Sequence, residues 1–103
     1  MRKHHCYYTY ILSNPGRTCF YIGVTNSLIR RLQEHKSNRG KRKTWAGRYY
    51  CYELVYYEVH KYILNAIARE KQLKRWSHKK KIELIKNQNP KLQSLNENFR
   101  IIG

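Results

Sequence analysis

Apolar and polar positions change period several times along the chain, and the changes mark its elements. Residues 6–13, CYYTYILS, are aromatic and β-branched and stop at Asn14-Pro15-Gly16, the composition of a strand running into a turn. A second such run, TCFYIGVT over 18–25, predicts a hairpin with a connection of about three to five residues. From Asn26 the spacing turns helical. Asn26 can cap a helix whose apolar stripe is Leu28 and Leu32, followed by His35. That helix should fade by Ser37-Asn38, ahead of Gly40. Residues 36–48, KSNRGKRKTWAGR, have no period and read as an exposed basic loop. Strand character returns over 49–59, YYCYELVYYEV, and helical spacing over 62–75 through Ile63, Ala66, Ile67 and Leu73. Trp76-Ser77 is a break, with Ser77 placed to cap a last helix over 78–87 that Asn89-Pro90 ends. The tail 91–103 is weakly patterned. The order ββαβαα predicts an α+β fold, a small three-stranded antiparallel sheet flanked by helices. Length predicts one domain over 1–103, with its core spanning roughly 7–90.

Charge narrows the function. Lys and Arg number 22 against six acidic residues, a formal net charge of +16. Such a surface attracts polyanions, foremost a phosphate backbone. A membrane surface fits less well, because no long basic amphipathic helix is present. No apolar run approaches the roughly 20 residues of a membrane-spanning helix. The start MRKHHCYYTY has no apolar stretch of signal-peptide type, so a cytoplasmic location is expected. Cys6, Cys19 and Cys51 are widely spaced and form no CxxC, which suits reduced thiols better than a zinc site or a disulfide frame. Ten tyrosines against two phenylalanines allow strands that pack like apolar ones yet line a polar site with hydroxyls.

Three sets of residues carry candidate chemistry. Glu70 shares a helical face with Ile63, Ala66, Ile67 and Leu73, and a carboxylate on a core-facing stripe needs a cation. That cation is either a metal or a neighbouring Arg69 or Lys74, unless Glu70 simply sits at the edge of the stripe. Arg31 and His35 are four apart on one helix, so a phosphate clamp and a proton-trading imidazole share a face, or else form a solvated flank. Tyr21-Ile22-Gly23 on the second strand faces Tyr8-Thr9-Tyr10 on the first, and Gly23 permits close approach to the backbone. Ordinary sheet packing explains the same pair.

Taken together, these residues resemble the GIY-YIG nuclease superfamily, and more closely its small members similar to the amino-terminal domain of the excision-repair nuclease UvrC. Tyr8-Thr9-Tyr10 stands at the GIY position and Tyr21-Ile22-Gly23 is the YIG element. Arg31, eight residues after Gly23, stands where the family places a catalytic arginine; His35 matches its Tyr or His. Glu70, in AIAREKQLKRW, matches the metal-binding glutamate, and Asn89 in NQNP a late asparagine. The likeness runs from Tyr7 to Pro90. Two positions depart from it: Tyr8 and Thr9 replace glycine and isoleucine, and Val24 stands where UvrC-like proteins often carry lysine.

The resemblance implies hydrolysis of DNA phosphodiesters with one divalent ion, Mg²⁺ or Mn²⁺, held by Glu70. Arg31 would set fixed charge against the phosphate, and Tyr10 would help position the reacting water. Either Tyr21 or His35 would be the general base: a free tyrosine titrates near ~10 and a free histidine near ~6.5. Arg30, Lys41, Arg42, Lys43, Lys79 and Lys80 are the expected phosphate contacts, which carry no sequence information. Trp45 is placed to stack on a base or to anchor its loop. The expected partner is DNA, with RNA still open and a repair protein as a possible helper. The expected state is a monomer acting in repair or recombination. The rival reading is a basic nucleic-acid-binding module that keeps the fold without turnover. Another is an accessory protein docking on a repair protein or on the ribosome.

Overall fold

The computed structural model describes residues 6–41 and 44–99, with residues 45 and 48 described by backbone alone. Strands β1 (Tyr7–Ser13), β2 (Phe20–Thr25) and β3 (Glu53–His60) form one antiparallel sheet in the order β2-β1-β3. Helices α1 (Leu28–Ser37), α3 (Ile63–Lys74) and α4 (His78–Gln88) flank it, as the α+β reading with order ββαβαα predicts. A single turn of helix, α2 (Trp45–Arg48), lies between α1 and β3.

The two-residue period of β1 divides the core. Tyr10 and Leu12 pack with Leu28 and Leu32 of α1, and with Ala46, Cys51 and Leu54. Ile11, on the opposite face, packs with Ile22, Val55, Tyr56, Leu73 of α3 and Ile85 of α4. Burial on both faces accounts for the nearly continuous apolar character of β1. Between Ile11 and Leu12 the pairing with β3 shifts, so that Ile11 faces Tyr56 and Leu12 faces Leu54. The intervening Val55 is a bulge.

Several boundaries differ from the sequence reading. The hairpin connection runs over 14–19, longer than predicted. Asn14 Oδ1 accepts from the amides of Thr18 (2.9 Å) and Cys19 (3.0 Å), and Arg17 takes a left-handed backbone, φ 59°. Helix α1 is capped by Ser27, whose Oγ accepts from the Arg30 amide, and not by Asn26. Asn26 Oδ1 instead accepts from the Arg30 guanidinium at 3.0 Å. Residues 45–48, read as loop, are helical, with the Thr44 hydroxyl accepting from the Gly47 amide at 2.9 Å. A Cβ at Gly47 would strike the carbonyl oxygens of Asn38 and Lys41, so this turn closes tightly on the end of α1. Strand β3 begins at Glu53 rather than at 49. Tyr50 has φ 60°, and Cys51, fully buried, fills the core ahead of the strand.

The tail is not patternless. Its described part supplies partners to the outer edge of β3, which no strand among the described residues covers. The Leu95 amide donates to Leu54 O (2.7 Å), and Asn96 bonds the Leu54 amide (2.8 Å) and Tyr52 O (3.1 Å). Asn89 donates to Val55 O (3.0 Å), and the Gln88 side chain meets both the amide and the carbonyl of Tyr57. Side-chain amides thus replace a fourth strand and close an edge that would otherwise invite pairing. Among the described residues no helix is long and apolar enough to cross a membrane.

Candidate functional site

The site is built around Tyr10 in the middle of the central strand. Tyr10 faces Gly23 across the β1–β2 ladder, and a Cβ at position 23 would lie 2.5 Å from the Tyr10 hydroxyl and 2.6 Å from its Cζ. Only the absence of a side chain lets the phenol lie over β2. The strand then turns into α1 within two residues, because Thr25 Oγ1 accepts from the Ser27 amide at 3.1 Å and Ser27 caps the helix. This short connection brings the first two turns of α1 over the same face.

His35 and Arg31 therefore reach Tyr10. The Tyr10 hydroxyl and His35 Nε2 are 3.1 Å apart, with the tautomer setting which of the two donates. The Tyr21 ring lies 5.2 Å from the His35 ring and 6.3 Å from that of Tyr10. Burial, and next the neighbouring Tyr21, raise the Tyr10 phenol well above its ordinary range, so it stays protonated; Glu34 and Glu70 push the same way and Arg31 opposes. Burial, and then the Arg31 charge, lower His35 from 6.5 to about 4, against the pull of Glu34. The imidazole is therefore neutral at physiological pH. Tyr10 feels Tyr21, Arg31, Glu34 and Glu70 together, which places three of the other four predicted catalytic residues, and Glu34, within electrostatic reach of its hydroxyl. His35 joins them by its hydrogen bond.

Each charged member has a counterion on its own helix. Arg31 Nη1 meets Glu34 Oε1 at 3.1 Å, while Arg31 Nε is buried and has no hydrogen-bond partner among the described residues. Glu70 Oε2 meets Lys74 Nζ at 2.9 Å, and the Glu70 side chain is 19% exposed. Glu70 is half-buried on the face of Ala66 and Leu73, with Lys74 as its neighbouring cation, whereas Ile63, expected on the same core-facing stripe, is exposed at the start of the helix. Glu34 was not singled out by sequence reasoning. Its signal was the three-residue spacing from Arg31 on a helix otherwise rich in cations.

A second polar cluster also escaped the sequence reading. Glu58 accepts from Arg69 Nε at 3.0 Å on each carboxylate oxygen and pairs with Arg69 Nη2 at 2.9 Å. The Tyr56 hydroxyl donates to it at 2.5 Å, and His60 Nε2 is 3.4 Å away. Burial works to raise this carboxyl, but the Arg69 and Tyr56 hydrogen bonds outweigh it and hold Glu58 below its usual range. This is a locked ion pair.

Of the expected phosphate contacts, Arg30, Lys41, Lys79 and Lys80 are exposed. Arg42 and Lys43 lie outside the described residues, as does the side chain of Trp45. Lys80 Nζ lies 4.2 Å from the centre of the Trp76 ring, over which Arg69 also sits. Asn89 is not at the site's surface. It is buried, and its side chain bonds Val55 O, Gln93 O and the Gln93 amide, which assigns it to closing the sheet edge.

Comparison with known proteins identifies the family. The family profile described as the GIY-YIG catalytic domain matches residues 6–83. A UPF0213 protein of Bacillus pumilus (strain SAFR-032) is 36% identical over 81 residues, covering 79% of each chain. Another, of Syntrophus aciditrophicus (strain SB), is 38% identical over 84 residues, covering 81% of this chain and 92% of that one. A solution NMR structure of a UPF0213 protein from Bacillus halodurans covers 93% of this chain and 94% of that one, at 26% identity and a TM-score of 0.49. With the profile spanning most of its length and relatives at 36% and 38% identity, the chain belongs to the GIY-YIG catalytic-domain family.

Proposed function

We propose that the protein is an endonuclease that hydrolyses DNA phosphodiester bonds with the help of one divalent cation, Mg²⁺ or Mn²⁺. One observation carries the reading. A buried tyrosine at the centre of the sheet lies within reach of a second tyrosine, an arginine, a histidine and a carboxylate drawn from three other elements. Such a set serves in-line attack of water on a phosphate better than it serves packing.

Among the described residues no three His, Cys, Asp or Glu side chains gather into a ready metal cage. A single half-buried carboxylate suits a hard ion that keeps several waters and shares a substrate phosphate. Glu70 would hold that ion, which when bound supplies positive charge against the phosphate and the leaving oxygen. Arg31, whose side chain is 38% exposed and whose ion pair among the described residues is with Glu34, would add guanidinium hydrogen bonding to the phosphate oxygens as charge develops there. We assign the proton of the attacking water to the Tyr21 oxygen, which would accept it as the phenolate. His35 is the weaker choice, because its Nε2 is engaged by Tyr10 and its basicity is depressed to about 4. Tyr10 and His35, both neutral, then hold Tyr21 and the water in place. Arg30, Lys41, Lys79 and Lys80 would bind the backbone on either side without reading sequence. Repair or recombination, in the cytoplasm and as a monomer, is the setting this reading implies.

The test is cleavage of labelled single-stranded, duplex, flap and abasic DNAs with Mg²⁺ or Mn²⁺, wild type beside Glu70→Ala. Cutting that requires the ion and is lost in Glu70→Ala, with DNA binding intact, supports the nuclease. Tight, salt-sensitive binding with no cutting by the wild type would replace it with a non-catalytic binding module.

A further inference from the structure

Glu58 and Glu70 are held by cations in different ways, and the difference points to what each can do. Glu58 is gripped by two nitrogens of one guanidinium and by a phenol, with Glu58 and Arg69 side chains 20% and 24% exposed. Releasing it would strand a charge on each partner. Glu70 is held by one ammonium on a flexible stem, at 2.9 Å, and the Lys74 side chain is 55% exposed. Pairs four apart on an open helix face are weak, and a lysine head loses little by turning into water. The Glu70 carboxylate, 19% exposed and within electrostatic reach of the buried Tyr10, is favoured by a positive neighbour.

We propose that Lys74 is the exchangeable cation of this site: it holds Glu70 while no divalent ion is bound, yields the carboxylate when one arrives, and then turns its ammonium to the scissile phosphate. The inference rests on the metal-dependent reading above. One lysine thereby opposes metal binding and assists the reaction. Neutralising it should move the two in opposite directions, which a merely structural ion pair would not do.

The experiment measures Mn²⁺ binding to the metal-free full chain by calorimetry and by the Mn²⁺ spin-resonance signal, for wild type, Glu70→Ala, Lys74→Gln and Lys74→Arg. Lys74→Gln should bind Mn²⁺ about three- to tenfold more tightly, the scale of one charge a few ångströms from a divalent ion in a high-dielectric setting. Single-turnover cleavage at saturating Mn²⁺ should nevertheless slow by about tenfold or more in Lys74→Gln, with partial recovery in Lys74→Arg. Unchanged or weaker Mn²⁺ binding by a folded Lys74→Gln overturns the proposal, as does an unchanged cleavage rate. Wild type that shows no Glu70-dependent Mn²⁺ binding, either alone or with an uncleavable duplex present, brings down the metal-dependent reading itself, and this inference with it. Glu70-dependent binding that Lys74→Gln fails to tighten brings down the inference alone.

Discussion

Tyr10 occupies the space that a side chain at Gly23 would fill: the hydroxyl lies 2.5 Å from where a Cβ on residue 23 would stand. The glycine of the YIG element is thus a packing requirement of the first-strand tyrosine, and its role lies in the cross-strand pair. Gly23→Ala should push the phenol away from His35. Overpacking of this kind costs about 1–3 kcal/mol, to be read from urea unfolding. Single-turnover cleavage should fall with it. A Gly23→Ala protein with wild-type stability and rate would mean that Tyr10 has room to move without consequence.

His35 makes stability depend on pH in a defined direction. Its folded value, about 4, lies below the unfolded 6.5, so the folded state disfavours the proton. The stabilisation is complete above 6.5 and is lost as pH falls through the window down to about 4. The urea midpoint of the wild type should therefore drop between pH 7.5 and pH 4.5 by more than that of His35→Gln. Equal drops in the two proteins would remove His35 as the cause.

The elements were legible because their periods are local. β1, α3 and α4 begin and end within a residue or so of the runs that predict them. That Tyr10, Tyr21, Arg31, His35 and Glu70 come near one another was legible through their spacing and their resemblance to a family pattern, while their roles belong to the proposed nuclease reading. What was hidden depends on residues far apart. Asn26 and Ser27 are both good cap residues, and the choice falls to Ser27 because Arg30 draws away the Asn26 side chain. Residues 49–52 read as strand because they are aromatic, yet Cys51 is drawn into the core and Tyr50 turns left-handed to put it there. The tail carries no apolar period because it works through amides. Asn96 bonds strand groups 42 and 44 residues away, which no local window contains.

That closure predicts a stability effect far from any chemistry. Asn96→Ala would leave the Leu54 amide and the Tyr52 carbonyl without their partner. A stranded buried backbone group costs about 1–3 kcal/mol. The exposed Asn98→Ala is the control and should unfold like wild type. Equal urea midpoints for Asn96→Ala and wild type would show that the edge is satisfied by other means. Cleavage per folded molecule should stay unchanged in both variants.

Binding and chemistry should separate by position. Lys79 and Lys80 open α4, and Lys80 is held over the Trp76 ring, so its charge is presented from a fixed place on the surface. Each phosphate that a lysine no longer neutralises lowers the slope of log affinity against log salt by about 0.9 for duplex DNA. Lys79→Ala with Lys80→Ala should therefore weaken duplex binding at low salt and flatten that slope by up to about two. It should leave the single-turnover rate at saturating protein near wild type. Arg31→Ala should do the reverse, slowing the chemical step with a small change in binding, because Arg31 lies within electrostatic reach of Tyr10 in the proposed centre rather than among the exposed lysines of α4. If the lysine variant instead slowed the saturated rate and kept its salt slope, α4 would belong to the catalytic centre, and the path of the DNA over this face would have to be redrawn.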